Sequence, residues 1–170
     1  AQEGFNLILT ARSEDKLKSL SESLDRVETD LIIADLSESQ GINKLIREVD
    51  NKGTSVEIIV NNAGMTTEGP FHESKEQDID KIITLNMTAT VKITHHFIKA
   101  MKKRGTGRIL NVGSVEGFHP LPSMDIYAAT KAFVLSFTES LAENYRSDGI
   151  FVTALCPGIT NTQMAETNLV

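Results

Sequence analysis

The fold class that this sequence predicts is α/β, with a parallel sheet covered by helices on both faces. Three observations predict it. Short, continuous apolar runs alternate with stretches of helical period along the whole of the 170 residues. The runs lack polar alternation, as strands buried on both faces do. The segments between them are long enough to be crossover helices, which join parallel strands with a right-handed turn. Together these describe a doubly wound, Rossmann-like domain.

Each element has its own signal. Phe5 to Thr10 is an apolar run and the first strand. Ser13 to Leu24 follows as an amphipathic helix with Leu17, Leu20 and Leu24 on one side. Leu31 to Ala34 is the next strand, and Ser37-Glu38-Ser39-Gln40 has the form of a capping box opening a helix that turns Ile42, Leu45, Ile46 and Val49 inward. Val56 to Val60 is a third strand, followed by a loop containing Gly64, Gly69 and Pro70. Ser74-Lys75-Glu76-Gln77 reads as a second capping box. The helical pattern it opens runs to Arg104, long for one helix, so a bend or break is expected near Asn86. Gly107 to Ser114 is a buried strand emptying into the loop Val115-Glu116-Gly117; a helix from about Ile126 to Tyr145 and a strand from Gly149 to Leu155 complete the pattern. Repeats, low-complexity tracts and linkers are absent, and residues 1–170 read as one domain.

Composition narrows the partners. The chain is 40% hydrophobic and 24% charged, with a net charge of −6 and a pI near 5.2. An acidic balance argues against a nucleic-acid surface. The basic cluster Lys99, Lys102, Lys103 and Arg104 ends a helix, where cations suit the macrodipole. No run approaches the roughly 18 apolar residues of a membrane span. A single cysteine, Cys156, excludes an internal disulfide and fits a reducing compartment, so a cytoplasmic location is expected. The four histidines do not make a metal site: His95 and His96 are neighbours on a helix and point about 100° apart, and His72 and His119 lie in loops without partners at ligand spacing.

The chemistry centres on Tyr127 and Lys131, four residues apart and therefore on one helix face. An ammonium beside a phenol favours the phenolate and is expected to lower its pKa. Taking a phenol from about 10 to about 7 requires roughly 4 kcal/mol. One charge at roughly 4–5 Å in an effective dielectric of about 20 supplies about that much. Ser114 stands at the end of a buried strand; Asn61-Asn62-Ala63-Gly64 follows another; Asn86 interrupts a helix; and Cys156-Pro157-Gly158 follows a third strand.

In this order and at this spacing, these residues resemble the short-chain dehydrogenase/reductase family of NAD(P)-dependent oxidoreductases. The resemblance runs from about Gly4 to the last residue. It implies that Tyr127 is the general acid protonating a carbonyl oxygen as hydride arrives, and the base in reverse. By the same resemblance Lys131 lowers its pKa and binds the nicotinamide ribose, Ser114 orients the substrate oxygen, and Asn86 holds a water linking Lys131 to solvent. Asp35 and Leu36 fall where the family contacts adenine; Asn62, Ala63 and Gly64 line the adenosine side; Pro157, Gly158, Thr160 and Thr162 receive the carboxamide. Arg12 follows the first strand, where NAD-preferring relatives carry an acidic residue; a guanidinium there pairs with the 2′-phosphate and favours NADP. Asp35 also serves as a cap for the helix that follows it. The implied partners are a small carbonyl or alcohol substrate and a second copy of the chain, through the helices bearing Asn86 and Tyr127. The alternative is a dinucleotide-binding module without turnover, acting as a sensor or partner surface.

The family opens with a strand and the turn Thr-Gly-x-x-x-Gly-x-Gly, which cradles pyrophosphate. No such motif occurs here; the sequence begins at Ala1-Gln2-Glu3-Gly4 and stops at Val170, where a substrate-covering segment would follow. It reads as a fragment in which the doubly wound sheet is incomplete. A sheet without its middle strand leaves rows of unpaired backbone groups, so residues 1–170 expressed alone are expected to be poorly stable and inactive.

Overall fold

The computed structural model describes residues 1–158. They group into two compact units, Ala1–Thr54 and the described part of Ser55–Val170.

In the first unit, β1 (Leu7–Ala11) pairs in parallel with β2 (Thr29–Ile33), in a register from Leu7↔Thr29 to Ala11↔Ile33. Helix α1 (Glu14–Glu22) joins them; the Ser13 hydroxyl accepts from Lys16 N at 3.4 Å, and two acidic residues open the helix. Helix α2 (Ser39–Lys52) follows β2. Leu17, Ile32, Leu36, Ile42, Leu45 and Val49 are buried. Two expectations are corrected. Helix α1 ends at Glu22, before Leu24, and of Leu17 and Leu20 only Leu17 is buried, Leu20 being 47% exposed. Ser37 does not cap α2: its N–H and hydroxyl are both donated to Asp35 Oδ1, at 2.9 and 2.6 Å. Asp35 thus closes a local turn ahead of the helix.

In the second unit, β3 (Ile58–Asn61), β4 (Gly107–Val112) and β5 (Ile150–Leu155) form a parallel sheet in that order. Helix α3 (Glu76–Ile83) runs through a π-helical turn, Thr84–Thr88, into α4 (Ala89–Arg104). The break expected near Asn86 is this turn, which absorbs one extra residue without interrupting the helix. The second capping box is a further correction. Ser74 N closes a 3₁₀ turn onto Phe71 O at 3.1 Å, and α3 starts after Lys75 with no side-chain cap. Helix α5 (Asp125–Tyr145) precedes β5.

Strand alternation decides what this sheet buries. Ile59, Ile109, Ile150 and Val152 point to the face covered by α4 and α5, with Ile98, Met101 and Val134. Ile58, Val60, Phe151 and Leu155 point the other way and are between 39% and 56% exposed. Coverage on both faces is therefore met on only one face of this sheet, because both long helices of the unit lie on the same side. Among the described residues no helix is long and apolar enough to cross a membrane.

Candidate active site

Parallel pairing brings three strand ends level. Asn61 sits opposite Asn111, Asn111 opposite Ala154, and Val112 opposite Leu155. The segments that follow, Asn62 to Gly64, Gly113 to Gly117 and Cys156 to Gly158, therefore leave the sheet along one edge. Beneath that edge a buried polar chain ties the elements together. Asn61 Nδ2 donates to Asn111 Oδ1 (2.8 Å) and to Thr94 Oγ1 (3.1 Å). Asn111 Nδ2 donates to Thr138 Oγ1 (2.9 Å), and that hydroxyl donates to Val134 O (2.6 Å). β3, β4, α4 and α5 are thus fixed to one another by groups that have no water to fall back on.

Ser114 stands one residue beyond Gly113 and is 6% exposed. The 3₁₀ turn after it, Val115–Gly117, is held on both sides: Gly117 N donates to Ser114 O at 3.1 Å and Val115 N to Pro157 O at 3.2 Å. A β-carbon on Gly117 would lie 2.9 Å from both the carbonyl carbon and the oxygen of Lys131, so only glycine lets the turn rest on α5. The Ser114 hydroxyl donates to Glu116 Oε2.

Tyr127 and Lys131 lie one turn apart on α5. Lys131 is 6% exposed; its Nζ donates to Val112 O at 2.9 Å and stands 5.6 Å from the centre of the Tyr127 ring. The expected acidification of the phenol is corrected. Burial pushes the Tyr127 pKa above its ordinary value, a hydrogen bond with Ser114 pulls it down, and the Glu116 carboxylate adds to the rise. Burial likewise pulls Lys131 below the usual lysine value, with Cys156 and Glu116 opposing. Spacing alone could not reveal this, because desolvation opposes the charged form of each group.

Asn86 is 2% exposed on the π turn. Its Oδ1 accepts from Met65 N (2.9 Å), and its Nδ2 donates to Met65 O (2.9 Å) and Thr130 Oγ1 (3.0 Å). Both amide hydrogens are engaged, and Asn86 O accepts from Thr90 Oγ1 at 3.3 Å. A β-carbon on Gly64 would lie 3.4 Å from Asn86 Oδ1 and 3.7 Å from Lys131 Nζ. The structure thus gathers Gly64, Asn86, Ser114, Tyr127 and Lys131 in the second unit. Asn62 and Ala63 are exposed beside them.

Arg12 and Asp35 belong to the first unit; Arg12 Nη1 is 3.9 Å from Asp35 Oδ2, and the arginine side chain is 73% exposed. Leu36 is buried in the same unit. Pro157 and Gly158 end the described residues, and Thr160 and Thr162 lie outside them. Sequence reasoning missed Glu116, Thr130 and the Asn61–Asn111–Thr138 chain. The one available signal for Glu116 was a charge placed two residues after Ser114 in a short glycine-bearing loop.

Comparison with known proteins bears on family and fold. A family model described as short chain dehydrogenase matches residues 1–169. The very-long-chain 3-oxoacyl-CoA reductase of Rattus norvegicus is 35% identical over 98% of this chain and 55% of its own length. The chain spans about half the length of the curated relatives it matches. A bulky-bulky ketone specific alcohol dehydrogenase from Comamonas testosteroni superposes with a TM-score of 0.89 at 35% identity, over 95% of this chain and 66% of that one. A short-chain dehydrogenase from Sphingobium yanoikuyae in complex with NADPH gives 0.91 at 33% identity, over 97% and 66%.

Proposed function

The chain belongs to the short-chain dehydrogenase family, and on that premise we propose that the protein carrying it is an NADP(H)-dependent oxidoreductase that interconverts a carbonyl compound and its alcohol, with Tyr127 as the proton donor and acceptor. The observation that carries the reading is the meeting of Ser114, Tyr127 and Lys131 beside the bare α-carbon of Gly64. When bound, the nicotinamide cofactor supplies the hydride in one direction and accepts it in the other.

Tyr127 gives its hydroxyl proton to the substrate oxygen in reduction and takes it back in oxidation. A phenol kept protonated by burial is suited to the first of these. Ser114, whose hydroxyl bears on the Tyr127 phenol, orients the same oxygen. Lys131 stabilises negative charge developing on the phenol and donates to ribose hydroxyls; a side chain at position 64 would crowd that space. Asn86 fixes the Met65 loop and carries the relay water. The nucleotide contacts that the family resemblance assigns are Arg12, Asp35, Leu36, Asn62, Ala63, Gly64, Pro157, Gly158, Thr160 and Thr162. The exposed Arg12 guanidinium favours NADP, as does the NADPH carried by the Sphingobium relative. The enzyme acts on small molecules in the cytoplasm as a homo-oligomer, with the Asn86 and Tyr127 helices as the seam.

Tyr127→Phe in the complete protein tests this. Ketone-dependent NADPH oxidation should fall by about 10² or more, while NADPH binding, followed by fluorescence, stays within about twofold. Retained turnover in that variant would exclude Tyr127 as the proton donor. Unaltered binding together with no turnover in the wild type on any ketone would favour the sensor reading.

A further inference from the structure

Glu116 has no part in the roles assigned so far, yet the Ser114 hydroxyl is donated to its carboxylate. It is half-buried, and its charge acts on both Tyr127 and Lys131. Its position is fixed from both sides, by Gly117 on the backbone of α5 and by Val115 N on Pro157 O.

A serine hydroxyl has one hydrogen to give. When Ser114 turns that hydrogen to a carbonyl oxygen, Glu116 loses its partner, and a half-buried carboxylate without a donor is unfavourable. The carboxylate oxygen and the substrate oxygen then flank one hydroxyl. The hydroxyl bonds only one of them at a time, along one or other of two tetrahedral directions; at about 2.8 Å along each, the two oxygens lie roughly 4.5 Å apart. That is within reach of a substituent on the carbon next to the carbonyl. A hydroxyl or ammonium there restores the lost hydrogen bond, a bare alkyl group does not, and a carboxylate meets like charge.

We propose that Glu116 selects the substrate class: carbonyl compounds and alcohols that carry a hydrogen-bond donor on the carbon adjacent to the reacting one are accepted, and 2-oxo acids are turned away. This rests on the oxidoreductase reading above. Phenyl ketones suit the test, since Leu121 and Met124 are half-buried on the loop ahead of Tyr127. The complete protein is assayed with NADPH and acetophenone, 2-hydroxyacetophenone, 2-aminoacetophenone and phenylglyoxylate, as wild type, Glu116→Gln and Glu116→Ala. In the wild type, kcat/KM for the two donor-bearing ketones should exceed that for phenylglyoxylate by about tenfold or more. Glu116→Gln should raise the phenylglyoxylate-to-acetophenone ratio by about tenfold, beyond any change common to both ketones. Glu116→Ala should erase the advantage of the hydroxyketone. Competitive inhibition by benzoate against benzamide reads the same charge discrimination without turnover. A purely structural carboxylate would change stability and leave these ratios alone, so ratios unchanged within about twofold in both variants would overturn the assignment. Acetophenone turnover with unchanged ratios would end only the role of Glu116; failure of the wild type on all four ketones would end the oxidoreductase reading with it.

Discussion

Replacing Gly117 with alanine isolates one steric contact at the site. Gly117 is not among the glycines in the left-handed region, so the substitution strains no dihedral and adds only a β-carbon. That carbon would stand 2.9 Å from the backbone carbon and oxygen of Lys131 and 3.2 Å from Ala132 N. These are atoms of a long helix and cannot swing aside. Reaching ordinary contact requires the turn to lift by about 0.5 Å, at a cost of roughly 1–3 kcal/mol for overpacking. The lift is transmitted to Ser114, whose carbonyl accepts from Gly117 N. A misplacement of about 1 Å can reduce turnover about 10²-fold, so about half that displacement predicts a loss near tenfold in kcat. Steady-state kinetics of the complete enzyme with NADPH and its best ketone measures this, with urea titration alongside for stability. NADPH affinity should not move, because Gly117 is outside the nucleotide residues. A variant with kcat within about twofold of wild type and a stability loss below about 0.5 kcal/mol would refute the reasoning.

Three further outcomes are expected. Asn111→Leu, which keeps the heavy-atom branching, strips partners from an Asn61 N–H and from Thr138 at a fully buried position; urea titration should show a loss of about 2–4 kcal/mol, and a loss under about 1 would mean the chain of amides does not hold the strands. Because burial raises the Tyr127 pKa, the protonated phenol that reduction needs persists through neutral pH. The reduction rate should fall only as pH rises past the ordinary phenol value of about 10, while oxidation, which needs the phenolate, climbs as pH approaches it; a reduction limb that fell below about pH 8 would contradict the assigned donor. Arg12→Asp should reverse cofactor preference, changing the NADPH-to-NADH ratio of kcat/KM by about tenfold or more; a wild type that already prefers NADH would remove the basis for that change.

Periodicity was the most legible part of the sequence. The five strands and the long helices among the described residues fall close to where the apolar pattern puts them, since burial imposes that pattern directly. The break at Asn86 was legible from helix length, but its π form was not, because one extra residue in a turn leaves the surrounding period intact. Both capping boxes misled for a local reason: a neighbour competed for the serine. Asp35 took the groups of Ser37, and a 3₁₀ turn took Ser74. The Tyr127–Lys131 spacing correctly brought the two side chains together but gave the wrong sign for the pKa, which depends on how much water reaches each group. Glu116 was illegible because loop residues carry no period, and only the contact of its turn with α5 brings it to Ser114.

The order of the motifs along the chain follows from the sheet. In a parallel sheet every strand delivers its next loop to the same edge, so functional residues recur at the ends of successive strands and not in one stretch of sequence. Here the pairing of Asn61 with Asn111 and of Asn111 with Ala154 puts the three exits level to within a residue. Asn61 and Asn111 also hydrogen-bond through their side chains at the exit itself, so the register is held by a polar contact that a slip would break. A one-residue slip of β4 would turn Asn111 to the exposed face and carry Ser114 away from Tyr127. Asn111 therefore links stability to the site: what fixes the strands also fixes the distance between the Ser114 hydroxyl and the Tyr127 phenol, the pair proposed to orient and protonate the substrate.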